Sequence, residues 1–586
     1  MVRLAIIHKE KCKPTACGHE CKKYCPVEKK ESDSCVVITD KSLIDETTCI
    51  GCRICQKRCP FGAIDIINLP SVSNKNLVHR HGENGFALYG LPTPRNGTVL
   101  GLLGRNGIGK TTAVNILAGH EKINLGRDAS EEDVKSFFKG NEILRYFEDI
   151  DKKKIAYKPQ NLSKLSVDVT VRDLLHQRGG GGEIRKLAEH IGIAKILDNK
   201  MNQLSGGELQ KVAILAASLG NEDVYFFDEP LAYLDIAERL RISDFIKEIG
   251  RDKTVVVVEH DLLVLDYLTD YLNIFYGGQG AYGVVSGVKA SKNGVNSYLK
   301  GFLKEENMRI RDKELSFNFN KNPPMSGHTV GEWPDFSVKF DSDFLLNVKS
   351  GKIRQNHIIG VLGKNGTGKT TFVKALAGEL KVFHRGKELE EHDHGKEGHL
   401  DLKLEISYKP QYLFTDSEES VKSIMFKEKI NRRISSIFNL GVLATKKLGE
   451  LSGGELQRFS VARCLSRDAD IYLIDEPSAY LDVEERISVA KAIKDLMTEK
   501  EKTAFVVDHD LLLVSYLADS IINFEGEGGV CGEASEIRDF EEGVSELLKS
   551  LDVTLRKDEE SGRPRINKRG SVLDRKQKEN GEWAVF

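Results

Sequence analysis

Two stretches of the chain, GRNGIGKTT at 104–112 and GKNGTGKTT at 363–371, set a lysine and two threonines directly behind closely spaced glycines. Glycines there let consecutive backbone N–H groups converge on phosphate, the lysine bridges β- and γ-phosphates, and the next hydroxyl holds magnesium. Gly104, Asn106, Gly107, Gly109, Lys110, Thr111 and Thr112 make the first set, and Gly363, Asn365, Gly366, Gly368, Lys369, Thr370 and Thr371 the second. Thr111 and Thr370 are the expected magnesium ligands. The implied ligand is ATP with Mg2+.

Further acids and amides complete each set. VYFFDE and IYLIDE are continuous apolar runs ending in two carboxylates, the pattern of a central parallel strand buried on both faces. Its carboxyl end is where open α/β sheets place ligands. Asp228 and Asp475 are expected to support magnesium through its water shell, and Glu229 and Glu476 to polarise the attacking water. A buried structural carboxylate is the bland alternative, but two such acids are costly without a cation. VVVV at 255–258 delivers His260 and AFVV at 504–507 delivers His509, read as sensors of the γ-phosphate. Gln160 and Gln411, each after Y-K-P, are read as ligands of magnesium or of water.

The cysteines carry a second chemistry. Nine of the eleven fall in the first 59 residues. Cys49, Cys52, Cys55 and Cys59 read C-x2-C-x2-C-x3-C-P, the bacterial ferredoxin run that holds a [4Fe–4S] cluster and lends its fourth thiolate to a neighbouring cluster. Cys12, Cys17, Cys21 and Cys25 supply a looser partner run, also closed by proline. Cross-ligation then assigns Cys12, Cys17, Cys21 and Cys59 to one cluster and Cys25, Cys49, Cys52 and Cys55 to the other, with Cys35 spare. Structural zinc is the competing reading, but zinc sites use paired knuckles. Disulfides are disfavoured in a reducing compartment, and the start MVRLAIIHKEKC does not resemble a secretion signal.

These groups must be positioned by a repeated architecture. Subtracting positions gives an offset of 259 from Lys110 to Lys369, 251 from Gln160 to Gln411 and 247 from Ser205 to Ser452. Constant order and near-constant spacing mean two tandem homologous domains. At 586 residues, 40% hydrophobic and 30% charged, the chain has the composition of a multidomain globular protein. No apolar run approaches the roughly 20 residues that span a bilayer. A net charge of −2 leaves nucleic-acid contacts to local patches.

LSGGELQ occurs at 204–210 and 451–457. Its Ser-x-x-Glu spacing is that of a capping box, so Ser205, Gly207, Ser452 and Gly454 should open helices whose N-termini attract anions. With the phosphate loops, acids and histidines, this resembles the nucleotide-binding domains of the ABC superfamily. There two domains close head to tail around two ATP molecules, so Ser452 would complete the site of Lys110 and Ser205 that of Lys369. The ferredoxin-like start, CIGCRICQKRCPFGAIDIINLP at 49–70, the twin ABC copies and RPRINKRGSVLDRKQK at 563–578 together resemble the ABC class E family, the ribosome-recycling ATPases also called RNase L inhibitors.

The resemblance implies an α/β fold: two tandem ABC-type P-loop domains preceded by a small α+β ferredoxin-like iron–sulfur domain, with hinge segments. The expected boundaries are 1–70 for the iron–sulfur domain, 71–280 for the first ABC domain, 281–330 for a hinge, 331–550 for the second ABC domain and 551–586 for a basic second hinge. It implies an Mg2+-dependent ATPase in the cytoplasm, with the nucleus as a further location. The partners implied are the small ribosomal subunit with its RNA, a release factor or Pelota-type paralogue, and initiation factors. No membrane is involved, and the ABC copies pair within one monomer. Around 127–154, Val134, Phe137, Phe138, Leu144 and Phe147 recur at helical spacing. The family has an RNA-touching helix–loop–helix there; a local satellite core is the alternative. The basic tail likewise reads as solvated surface or, by the resemblance, as an RNA-facing hinge. Phe86 and Phe344 are candidate adenine-stacking aromatics, Gly179–Gly182 reads as a flexible loop, and Lys211 departs from the arginine usual after the signature glutamine. Two other functions stay open: energising a separate membrane transporter, and ATP-gated electron transfer.

Overall fold

The computed structural model describes residues 2–30, 34–69, 76–315, 327–340, 344–384, 387–388, 400, 402–411 and 418–586. They form two compact units. The first holds residues up to Pro230 with Ile246–His260 and Thr269–Lys313; the second holds Leu231–Phe245, Asp261–Leu268 and Glu314–Phe586. The division is therefore not a simple cut of the chain in two. Among the described residues no helix is long and apolar enough to cross a membrane.

In the first unit, strands Tyr271–Gly278, Thr98–Leu103, Thr254–Val258, Val224–Asp228 and Ile155–Lys158 lie side by side, all parallel. All five residues of Val224–Asp228 and of Thr254–Val258 are buried, as continuous apolar runs covered on both faces must be. An arm of shorter strands, Tyr282–Val285, Ala87–Tyr89 and Leu77–Arg80, continues the sheet. Helices Glu131–Phe137 and Ile143–Glu148 fill the 127–154 insert, and their Phe138, Ile143 and Tyr146 join the same core as Val114 and Phe226. Lys135, Lys139 and Arg145 remain exposed.

The cysteine-rich start packs on this copy. Strand Val2–Ile7 pairs antiparallel with Ile64–Leu69, and Leu4 and Ile6 share a small core with Ala87, Tyr89 and Ala281. Asn84 clamps the joint. Its side chain accepts from Ile44 N at 2.7 Å and donates to Ile44 O at 2.9 Å, while its carbonyl accepts from Ile7 N at 2.8 Å. Arg80 Nη1 adds a 2.9 Å bond to Glu46.

The second unit repeats the sheet with Ser520–Glu527, Ile358–Gly363, Thr503–Val507, Ile471–Asp475 and Ile406–Lys409 in parallel order. Three sequence expectations read differently in space. Gly181 and Gly182 open the helix Gly181–Ile191 rather than a loop; buried Ile184, Ala188 and Ile191 fix that helix, and its first turn needs no side chains. Residues expected as the first hinge carry Tyr282–Val285, the helix Ser291–Lys300 with Val295, Tyr298 and Leu299 buried, and the pair Phe302–Leu303 and Met308–Arg309. The Asn-Pro-Pro at 322–324 lies outside the described residues, as does the expected boundary at residue 70. Finally, the basic tail is solvated only in part: Lys568, Arg569, Arg575 and Lys576 are exposed. Arg563 is 0% exposed and donates to Asp266 Oδ2 at 2.7 Å, where Arg565 also bonds.

Candidate functional site

Each phosphate loop turns on a glycine at positive φ, Gly109 at 97° and Gly368 at 98°, which then caps the helix Lys110–Leu117 or Lys369–Leu376. A Cβ on Gly109 would stand 2.7 Å from Phe86 Cζ, and one on Gly368 would stand 3.2 Å from Phe344 Cζ. Both candidate aromatics thus press on the loops. The lysines curl over them: Lys110 Nζ donates to Gly104 O and Arg105 O at 2.8 Å each, and Lys369 Nζ to Gly363 O at 3.0 Å and Lys364 O at 2.6 Å. Burial pulls the Lys369 ammonium down to about 8. In the second unit the loop is braced by a segment of the first copy, Asn365 N donating to Asp235 Oδ2 at 2.7 Å and Asn365 Nδ2 to Tyr233 O at 3.1 Å.

The two acids at each strand end differ. Burial, then the neighbouring Glu229 charge, pushes Asp228 up to about 6, and burial with Glu476 does the same to Asp475. Thr111 Oγ1 donates to Asp228 Oδ2 at 3.3 Å. Both oxygens of Asp475 are buried without a hydrogen-bond partner among the described residues. A buried carboxylate left in that state is costly, and a hydrated divalent cation beside Thr370 would answer it. The donors fit Mg2+.

Glu229 and Glu476 adopt φ of 46° and 48°, a left-handed backbone that costs about 1–3 kcal/mol for such a residue. The two copies hold it identically. Gln160 Nε2 donates to Glu229 Oε1 at 2.8 Å and Gln411 Nε2 to Glu476 Oε1 at 2.7 Å. His260 Nε2 lies 3.6 Å from Glu229 Oε1, and His509 Nε2 lies 3.6 Å from Glu476 Oε1. Burial works against the Glu476 charge, but His509, Gln411 and Lys369 together hold its carboxyl down at about 2.

Four residues of this cradle were quoted in the sequence motifs without being given a role. Lys158 Nζ donates to Asp228 O at 2.7 Å and Glu229 O at 3.0 Å; Lys409 Nζ does so to Asp475 O at 2.5 Å and Glu476 O at 3.2 Å. Burial draws both ammonium groups down to about 8. Gln210 and Gln457, the last residues of the two signatures, donate to the carbonyls of Glu229 and Glu476. Their recurrence at offsets of 251 and 247 was the available signal.

The signature helices Gly206–Ser218 and Gly453–Ser466 begin as expected, with full capping boxes of Ser205 with Glu208 and Ser452 with Glu455. Gly207 and Gly454 sit in the first turns. Arg458 Nε lies 3.4 Å from Glu485 Oε1, the contact position at which the first copy has Lys211.

The cysteines sort into two groups. Cys12, Cys17, Cys21 and Cys59 line one cavity, with Ile38, Phe61 and Ile64 among its walls. Ser42 N donates to Cys12 Sγ at 3.5 Å and Ala63 N to Cys59 Sγ at 3.4 Å. Burial pushes Cys55 up to about 12, and Cys49, Cys52 and Cys25 push in the same direction, so these three lie near Cys55. The structure therefore brings Cys59 to the first run and Cys25 to the second. The only metal-sized convergence of side chains within 4.8 Å among the described residues is His79, His81 and Glu121, with no cysteine in it. Cys35 is buried beside Cys25 and Cys49, its Sγ donating to Asp45 O at 3.9 Å.

Residues 93–232 and 346–479 match the family model for ABC transporter, residues 2–30 a possible Fer4-like domain in RNase L inhibitor, and residues 43–65 a 4Fe-4S binding domain. An uncharacterized ABC transporter ATP-binding protein of Methanocaldococcus jannaschii is 44% identical over 99% of this chain and 97% of its own. Translation initiation factor RLI1 of Chaetomium thermophilum is 40% identical over 100% and 97%. A solved structure described as a model of ribosome-bound archaeal Pelota and ABCE1 superposes with a TM-score of 0.91 at 42% identity, covering 100% of this chain and 99% of that one.

Proposed function

The chain belongs to the RNase L inhibitor family of ABC class E ATPases, and from that premise we propose that it uses ATP to split ribosomes into subunits after termination or stalling, staying on the small subunit toward initiation. The observation that carries the mechanism is the joint at Asn84 and Arg80. It seats the cysteine-rich domain on the copy that bears Lys110 and Glu229, and it is at this joint that ATP-driven closure would swing the domain to split the subunits.

ATP is held by the phosphate loops, with Lys110 and Lys369 on the β- and γ-phosphates and the signature serines contributing their helix N-termini. Thr111, Thr370, Asp228, Asp475, Gln160 and Gln411 would hold Mg2+, which neutralises phosphate charge when bound. Glu229 and Glu476 orient the attacking water and take its proton, while Gln210 and Lys158, or Gln457 and Lys409, fix the strained backbone that aims them. His260 and His509, each 3.6 Å from the same carboxylate oxygen that Gln160 or Gln411 reaches, sense the γ-phosphate. Phe86 and Phe344 form the adenine end of each loop. The eight cysteines would hold two [4Fe–4S] clusters, which stiffen a domain too small for a large core of its own.

The archaeal neighbour is described as ribosome-bound with Pelota. We assign the same class of partners here: the small subunit and its RNA, a release factor or Pelota-type paralogue, and initiation factors. The exposed Lys135, Lys139 and Arg145 of the insert suit ribosomal RNA phosphates. Work on ribosomes implies the cytoplasm, with the nucleus as a further location.

The test is Glu229→Gln and Glu476→Gln, singly and together. General-base removal costs on the order of 10²–10⁴ in rate, so the double variant should lose that much turnover and be trapped ATP-bound on small subunits. Unchanged turnover in the double variant would remove both residues from the catalytic role.

A further inference from the structure

His79, His81 and Glu121 converge beside the first phosphate loop, outside the set of groups that handles ATP. His79 lies on the strand Leu77–Arg80 and is 5% exposed; Glu121 follows the phosphate-loop helix Lys110–Leu117. One ligand atom from each lies within 4.8 Å of the others. His79 Nε2 stands 3.0 Å and His81 Nδ1 3.2 Å from the same oxygen, Glu121 Oε1.

The second nitrogen of each ring bears on what faces that oxygen. His79 Nδ1 lies 2.9 Å from Lys122 O. A carbonyl only accepts, so Nδ1 carries the proton, and neutral His79 turns the lone pair of Nε2 toward Glu121. His81 Nε2 lies 3.4 Å from Thr112 Oγ1, and in the tautomer that donates there Nδ1 also offers a lone pair. In those tautomers three acceptors face one place, and a cation between them would answer their repulsion.

From this geometry we propose that His79, His81 and Glu121 form a His₂Glu site for a divalent transition-metal ion of the Zn2+ class. Tetrahedral zinc with bonds of about 2.0–2.1 Å sets its ligand atoms about 3.3–3.4 Å apart, close to the observed 3.0 and 3.2 Å. The Lys122 carbonyl on His79 Nδ1 is the outer-shell contact that zinc-bound histidines usually have. Three protein ligands leave a fourth position for water. The ion ties the outer strand to the turn behind the phosphate-loop helix.

The experiment uses the full chain, purified anaerobically with its iron, exposed to Zn2+ and dialysed. Metal content and the zinc K-edge absorption spectrum are then compared among the native protein, His81→Ala and Glu121→Gln. The site predicts one zinc per native chain in a shell of nitrogen and oxygen at about 2.0–2.1 Å. That zinc is lost in both variants, while iron content stays unchanged. Zinc in a sulfur shell near about 2.3 Å, equal zinc in all three proteins, or no retained zinc would each overturn the assignment. In the last case the cluster is two imidazolium–carboxylate pairs. His79→Gln serves as the third variant if either of the others fails to retain iron.

Discussion

Removing the carboxylate of Asp266 should loosen the C-terminal segment, and the structure supplies the magnitude. Asp266 Oδ2 accepts from Arg563 Nη2 at 2.7 Å and from Arg565 Nε at 2.6 Å, and Oδ1 accepts from Arg565 Nη2 at 3.1 Å. The side chains of Asp266 and Arg563 are 4% and 1% exposed. In Asp266→Ala a desolvated guanidinium loses the carboxylate that faces it, and breaking a buried pair in this way costs about 3–5 kcal/mol. Asp558, 3.6 Å from Arg565 Nη1, softens the loss for Arg565 more than for Arg563, so the lower end applies. About 3 kcal/mol is on the order of a 100-fold change in an opening equilibrium. A chain of two units does not unfold in one step, so the assay is native-state hydrogen exchange on the ladder formed by Leu555–Lys557 and Pro564–Ile566. Protection there should fall on the order of 100-fold and be insensitive to salt. Asp552→Ala, which removes an exposed partner of Lys578, should cost under about 1 kcal/mol. Protection in Asp266→Ala within threefold of the native chain would refute the reasoning.

Two further outcomes follow from the site geometry. Cys12→Ser should lose iron while nucleotide binding persists, whereas Cys35→Ser, whose native thiol bonds to Asp45 O, should keep its iron. Iron analysis of the two purified variants decides this, and full iron in the Cys12 variant would overturn the cluster assignment. Gly109→Ala places a methyl group 2.7 Å from Phe86 Cζ at a φ of 97°. It should weaken ATP binding at that loop at least tenfold by calorimetry. Unchanged affinity in Gly109→Ala would show that the loop does not need this turn.

The chemistry of the site was legible because it is local: Lys110 follows its own glycines, Glu229 ends its own strand, and Ser205 caps its own helix. What escaped depends on distance along the chain. Lys158 at a strand end looks like surface until the carbonyls of Asp228 and Glu229, 70 and 71 residues on, are seen to receive it. Arg563 reads as part of a solvated basic run because its partner lies 297 residues away. Leu231–Phe245 and Asp261–Leu268 pack with the second unit although their sequence belongs to the first repeat. Gly181 and Gly182 misled in another way, since the apolar face that makes them helical begins two residues later, at Ile184.

The central claim is that ATP drives this chain to split ribosomes. Sucrose-gradient sedimentation of anaerobically purified protein with intact ribosomes and a release factor tests it most directly, comparing ATP with a non-hydrolysable analogue. The account predicts separated subunits with ATP, and protein co-migrating with small subunits under the analogue. Intact ribosomes and unbound protein in both conditions would contradict it.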